Sequence, residues 1–212
     1  MRYLILLVCL VLSQNIFAQR IKTQQVLKAA DSILKSRVGD VLFKMFQVSE
    51  GSYHTYLTSS GREVSGKFLS KKKLRKSTES IHVLYHFNYP DIEGIRGGSW
   101  IILDDKLKPT NSIDLAYIPD FVKKKNPSTF LEKERASRIA QDSFKENGVR
   151  ATEPELRFEQ KYGKYIYQIN NILTSTISPG GQETGQMEIA EVDAETGEVL
   201  AVYNGVYGLI IR

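Results

Sequence analysis

The chain has 212 residues, 25% of them charged and 42% apolar, with a formal charge of +5 and a single cysteine. That is enough chain for one domain or two small ones, each held by an ordinary apolar core. One cysteine excludes a disulfide framework, and the mild, dispersed basic excess points to acidic surfaces or anionic polymers as partners rather than to nucleic acid.

The N-terminus reads as a secretory leader. Met1-Arg2 gives a short basic start, Tyr3 to Leu12 an unbroken apolar run, and Ser13 to Ala18 a more polar exit ending in a small residue. The run of about ten residues is too short to cross a bilayer of ~30 Å. Cleavage is expected after Ala18, which removes residues 1–18 with Cys9 and Arg2 and takes the charge from +5 to +4. The mature chain then has no thiol, so thiol catalysis and thiolate metal sites are excluded. The expected location is extracytoplasmic, periplasmic or secreted, with no membrane-spanning segment after cleavage.

Over residues 23–38 the apolar positions Val26, Ala30, Ile33, Leu34 and Val38 fall at helical spacing, with Gly39 as a C-cap. Residues 41–48 are rich in β-formers and predict a strand. Residues 53–57 and 63–69 form a predicted hairpin around Ser59-Ser60-Gly61. After the charge run Lys71-Lys72-Lys73-Leu74-Arg75-Lys76, Ile81, Val83, Tyr85, Phe87 and Tyr89 alternate with polar neighbours, a strand with one apolar face. Gly97-Gly98 opens another strand that ends at Asp104-Asp105. Residues 109–128 read as a connector that packs on the body through Tyr117, Ile118, Phe121 and Val122.

A second helix is predicted from a Thr129-x-x-Glu132 capping box to Asn147-Gly148, with Ala136, Ile139, Ala140 and Phe144 on its apolar face. Strands follow at 154–160, 165–173, 187–192 and 199–203. The halves repeat weakly: Trp100-Ile101-Ile102-Leu103-Asp104-Asp105 parallels Ile189-Ala190-Glu191-Val192-Asp193-Ala194. The expected fold class is α+β, two tandem units of a helix on an antiparallel sheet, residues 19–108 and 129–212.

Chemical motifs are sparse. His82 and His86 lie four apart on a strand, roughly 13 Å at ~3.3 Å per residue, too far to share an ion. The acidic groups Asp91-Ile92-Glu93 and Asp193-Ala194-Glu195 lack the ligand spacing of a calcium loop, and Asp193 to Gly197 is turn chemistry. Ser70-x-x-Lys73 has none of the companions of a serine hydrolase. Gly180-Gly181-Gln182-Glu183-Thr184-Gly185 joins two strands and lacks the Lys-Ser/Thr of a phosphate loop. No catalytic, metal or cofactor residue is therefore assigned. The candidate partner contacts are Lys71, Lys72 and Lys73 and the loop glycines Gly180 and Gly181.

The second half resembles the PepSY domain family. Lys133-Glu134-Arg135-Ala136-Ser137-Arg138-Ile139-Ala140 is similar to its opening helix and Tyr165-Ile166-Tyr167-Gln168-Ile169 to its middle strand. Val192-Asp193-Ala194-Glu195-Thr196-Gly197-Glu198-Val199 is similar to its closing hairpin. The first half would be a degenerate copy, since Asp104-Asp105-Lys106 lacks the Thr-Gly. The resemblance implies an extracytoplasmic PepSY/cystatin-like α+β module without catalytic residues that regulates or inhibits a peptidase or binds envelope components. Expected partners are thus a protein, such as a peptidase, or an anionic envelope component. The alternative is a small extracytoplasmic hydrolase or ligand-binding enzyme on a curved sheet, for which Glu155, Glu159, His82 and His86 are the candidates.

Overall fold

The computed structural model describes residues 20–75, 77–177 and 180–208. The predicted leader 1–18 with Cys9, Gln19, Lys76 of the charge run, Ser178 and Pro179 of the glycine loop, and residues 209–212 lie outside the described residues. The chain is a mixture of helices and antiparallel strands in two sheets, and no described helix is long and apolar enough to cross a membrane. It divides into two compact units that interleave in sequence. The first comprises the described residues up to His86 together with Ser99–Ile113; the second comprises Phe87–Gly98 and the described residues from Asp114 onward.

In the first unit, helix α1 (Thr23–Phe43) buries Val26, Ala30 and Leu34, the i, i+4, i+8 stripe of its periodic pattern. Gly39, at φ 78° and ψ 167°, interrupts it as expected of a C-cap, but the chain resumes one more helical turn to Phe43. Residues 41–43 are therefore helical where a strand was predicted; only Phe46–Val48 is extended, as β1. Local β-propensity at Val41-Leu42-Phe43 yields to the short helical return after the kink. Strand β2 (Tyr53–Leu57) and β3 (Glu63–Lys67) form the predicted hairpin, with Tyr53 opposite Lys67 and Leu57 opposite Glu63. Strand β4 (Thr78–Asn88) buries Ile81, Val83, Tyr85 and Phe87 as its alternation requires. The Tyr85 hydroxyl donates to Asp31 of α1 at 2.5 Å, pinning helix to sheet, and burial raises its pKa. Strand β5 (Arg96–Leu103) pairs with β4. β1 and β2 both pair with β4, and the break between them is stitched by buried Ser52, whose Oγ accepts the Leu84 N–H at 3.1 Å.

The second unit begins with what was read as a connector, and Tyr117, Ile118, Phe121 and Val122 are all buried in it, the last two on helix α2 (Asp120–Lys124). Helix α3 (Lys133–Ser143) buries Ala136 and Ala140 and lies on the three longest strands of the second sheet. The capping box does not form. Glu132 is the N-cap without a side-chain bond, and the Thr129 hydroxyl donates to Glu195 at 2.7 Å instead. The helix also stops at Ser143, four residues early, because Phe144 is extended and the next two N–H groups are taken by Glu188. The sheet contains β6 (Arg150–Ala151), β7 (Glu155–Glu159), β8 (Lys164–Ile172), β9 (Thr176–Ile177), β10 (Glu183–Asp193) and β11 (Val199–Tyr207). Its order is β11-β10-β8-β6, with β7 also on β8 and β9 on β10. Gly197 in the β10–β11 turn has φ +79°, and a Cβ there would meet Ile139 and Leu131 at 3.0 and 3.1 Å. Glycine is needed both for the backbone and for the approach of the turn to α3.

His54 on β2 is the odd residue of the first core. It is 0% exposed, lies between the Tyr56 and Phe68 rings, and neither ring nitrogen has a hydrogen-bond partner among the described residues. Burial lowers its pKa below 6.5; the Gly66 backbone works in the opposite direction, and the Lys71 and Arg75 charges add to the depression. The unfolded chain therefore takes up this proton before the folded chain does. Stability should be whole above about pH 6.5 and fall below it by at most ~1.4 kcal/mol per pH unit until the folded-state pKa is passed. His54→Phe should flatten that dependence in urea melts run between pH 8 and pH 5. Identical pH slopes for the two chains would show that His54 is not the source.

Candidate functional site

The central strand of the second unit carries three acidic residues that are all buried: Glu188, Glu191 and Asp193 on β10. Alternation sends Glu188, Ala190 and Val192 to the α3 side and Ile189, Glu191 and Asp193 to the opposite side. Each carboxylate is matched by donors, as burial demands. Glu188 accepts the N–H groups of Lys145 and Glu146 at 3.2 and 3.1 Å and the Asn171 amide at 3.4 Å, closing the chain onto the sheet just past α3. Asp193 accepts the N–H groups of Glu195 and Thr196 at 2.8 and 3.0 Å and pairs with Lys164 at 2.6 Å. This is the Asx turn expected of the Asp-Ala-Glu-Thr-Gly segment.

Glu191 is the most elaborate of the three. Lys161 reaches it at 2.7 Å and Arg157 at 3.2 Å, and the Tyr162 and Tyr203 hydroxyls donate at 3.0 and 3.1 Å. Arg157 also pairs with Glu159 at 2.9 Å. The cage thus ties β7, the β7–β8 turn, β10 and β11 to one carboxylate. Burial pushes the Glu191 pKa up, but the bonds from Lys161, Tyr162 and Tyr203 outweigh it and hold the group below the ordinary carboxylate range. Asp193 follows the same balance through Lys164 and the two turn amides. Both remain ionised with their lone pairs occupied, so neither is poised for proton transfer near neutral pH.

The rival catalytic candidates do not assemble within either unit. His82 and His86 belong to the first unit and Glu155 and Glu159 to the second, and each pair is four residues apart on one strand, roughly 13 Å. His82 is stacked on Tyr53, and Glu155 lies 3.8 Å from Arg96. Among the described residues, no group of three or more His, Cys, Asp or Glu could hold a metal ion.

Lys71, Lys72 and Lys73 are exposed, but their backbone is not loose. The Lys72 carbonyl accepts Thr23 N–H at 3.2 Å, the Lys71 carbonyl accepts the Thr23 hydroxyl, and Lys73 bridges to Lys22. The run is a rigid basic edge beside the start of α1. Gly180 and Gly181 are exposed in the loop between β9 and β10, with Gly181 at φ +79°. The lysines belong to the first unit and the glycines to the second.

The feature that sequence reading missed is β11. The strand was expected to stop at Tyr203 but runs to Tyr207, at the end of the sheet order, and among the described residues no strand pairs with its outer side. Its nine residues, Val199-Leu200-Ala201-Val202-Tyr203-Asn204-Gly205-Val206-Tyr207, contain no charge and no proline. Tyr203 is 41% and Val206 57% exposed. A cleft of about 350 Å³ lined by Leu173, Met187, Asn204, Gly205 and Val206, among others, adjoins its C-terminal half. Edge strands in folded proteins are ordinarily guarded by charge, proline or a bulge; the bulge here lies at Glu191/Val192, before the strand's exposed length.

Set against protein-family models, curated proteins and solved structures, the chain matches none of them.

The cage makes a sharp stability prediction. Glu191→Ala leaves Arg157 and Lys161 facing each other and should cost about 3 kcal/mol, while Glu191→Gln, which keeps the shape and one acceptor oxygen, should cost about half that. Because the folded-state pKa is depressed, the wild-type contribution is present above the usual value of 4.5 and is lost as pH falls through the folded value. Urea denaturation at pH 7 and pH 4 measures both. A Glu191→Ala chain within about 0.5 kcal/mol of wild type at pH 7 would mean the cage is ornamental.

Proposed function

We propose that this is an exported, non-enzymatic binding protein that takes an extended segment of a protein partner onto β11 as an added strand. The observation that carries the reading is the uncharged nine-residue edge, whose outer side has no strand partner among the described residues. Such an edge offers a row of N–H and C=O groups to any extended chain; main-chain bonding supplies affinity and side-chain pockets supply selectivity. The cleft bounded by Leu173, Met187 and Val206 adjoins the C-terminal half of this strand and offers an apolar recess beside it.

The leader-like N-terminus supports export, and the second unit's helix, strands and Asp193-to-Gly197 turn support a PepSY-like module. The first unit is then its degenerate copy. Asp104 there accepts the N–H groups of Lys106 and Lys108 at 2.9 and 2.8 Å, as Asp193 accepts Glu195 and Thr196, and Leu107 at φ 61° occupies the place of Gly197. On this reading the partner is a peptidase held in check or an envelope protein. The saturated carboxylates of β10 speak for a scaffold rather than a reaction centre. An anionic envelope polymer gripped by Lys71, Lys72 and Lys73 is the competing occupant.

The test is selection of phage-displayed random dodecapeptides on the wild-type chain, followed by binding measurements on two variants. Val206→Lys places a charge on the edge at an exposed position and should weaken selected peptides at least about tenfold with little change in Tm. Lys71→Ala/Lys72→Ala/Lys73→Ala should leave them unchanged at low and high salt. Selection of acidic peptides that lose binding in the lysine variant and in salt would move the site to the first unit.

A further inference from the structure

Trp100 is the chain's one tryptophan. Alternation along β5 buries Ser99, Ile101 and Leu103 and turns Trp100 to the opposite face of the first unit's sheet, where it is 38% exposed. It is held firmly. Its carbonyl accepts the Asn111 side-chain amide at 2.9 Å, and the same side chain accepts the Ile102 N–H at 2.8 Å. On the neighbouring strands Tyr53 and His82 sit directly opposite each other, their rings stacked at 4.4 Å and 9°. The indole lies 5.7 Å from Tyr53 and 6.3 Å from His82, at 71° and 79°.

Those values fix the arrangement. Near-equal distances put the indole beside the stacked pair rather than at its end. Near-right angles set the indole plane across the planes of both rings. The pair backs Trp100 on one side, and the residue stays 38% exposed. His82 is itself positioned by a ladder of hydroxyls: its Nε2 bonds Ser80 Oγ at 2.8 Å, and Ser80 Oγ bonds Thr55 Oγ1 at 2.9 Å. Burial lowers the His82 pKa, against the pull of Glu63, which keeps the ring uncharged at neutral pH.

We propose that Trp100, backed by Tyr53 and His82, is a stacking platform for a pyranose ring of a neutral glycan. The chemistry is matched point by point. A pyranose has one flat face of C–H groups and a rim of hydroxyls. It needs a rigid, uncharged aromatic plane with polar groups at the margin: the three rings carry no charge, and Lys67, across from Tyr53, and Glu63, whose charge reaches His82, are the polar groups beside them. A fatty chain needs a groove, and a charged polymer needs cations within the platform; the three aromatic residues supply neither. The site belongs to the first unit and does not depend on strand addition at β11.

The sole tryptophan makes the test direct. Emission of the purified chain is followed while cellohexaose or chitohexaose is added to millimolar concentration, and calorimetry repeats the titration with variants. Binding is expected as a saturable blue shift, insensitive to salt. Trp100→Ala should lose at least about tenfold in affinity and Trp100→Tyr should recover part of it, with circular dichroism unchanged. Lys71→Ala/Lys72→Ala/Lys73→Ala should bind as wild type. No shift with either glycan, or a Trp100→Ala chain that binds as tightly as wild type, would overturn the proposal. So would a shift produced equally by a proline-rich peptide, which would make the platform a protein contact.

Discussion

A single buried carboxylate organises the second unit. Glu191 lies near the C-terminal end of the central strand, on the side away from α3, where an unpaired charge would cost several kcal/mol. Two cations and two phenols answer it, and they come from β7, from the turn that follows it and from β11. The cage therefore does what a hydrophobic layer does on the other face: it draws the strands together and covers the sheet. It also reaches the edge. Tyr203 donates to Glu191 and is itself exposed on β11, so the edge strand is held by the cage. Ordering an edge in advance reduces the entropy lost when another chain is added.

The two units solve the same problems with different residues. Each lays a helix on an antiparallel sheet, and each begins its sheet with an interrupted strand, β1/β2 on β4 and β6/β7 on β8. Each follows a long strand with an Asx turn, at Asp104 just past β5 and at Asp193, the last residue of β10. Their open surfaces differ in kind. The first presents an aromatic face and a rigid basic edge; the second presents an uncharged strand edge beside a cleft.

Much of this architecture was legible in the sequence, and the reasons for the misses are specific. The β2–β3 hairpin and the buried alternation of β4 follow from local pattern alone. So does the Asp193-to-Gly197 turn, because each is decided by neighbours within a few residues. The capping box failed because Thr129 found Glu195, 66 residues away. The last turn of the second predicted helix was lost because Glu188 on β10 captured the N–H groups of Lys145 and Glu146. The Glu191 cage was invisible for the same reason: three of its four donors lie on β7 and the β7–β8 turn, but its acceptor lies some 30 residues on. A signal was present, since Glu188, Glu191 and Asp193 punctuate the apolar Ile189, Ala190 and Val192, and acids in a buried strand must be paired. β11 was cut short because Asn204-Gly205 reads as a turn, whereas Gly205 is used for the close approach of the Ile189 side chain, 2.9 Å from where its Cβ would lie.

The central claim is that β11 is open in the free protein and becomes an inner strand in the complex. Residue-resolved amide hydrogen exchange tests it most directly. In the free chain, protection along Val199–Tyr207 should alternate, with the N–H groups bonded to β10 slow and those pointing outward fast. On addition of a selected peptide the fast set should become slow, while residues 71–73 do not change. Uniform protection of β11 in the free chain, or peptide-induced protection confined to the lysine run, would contradict the account.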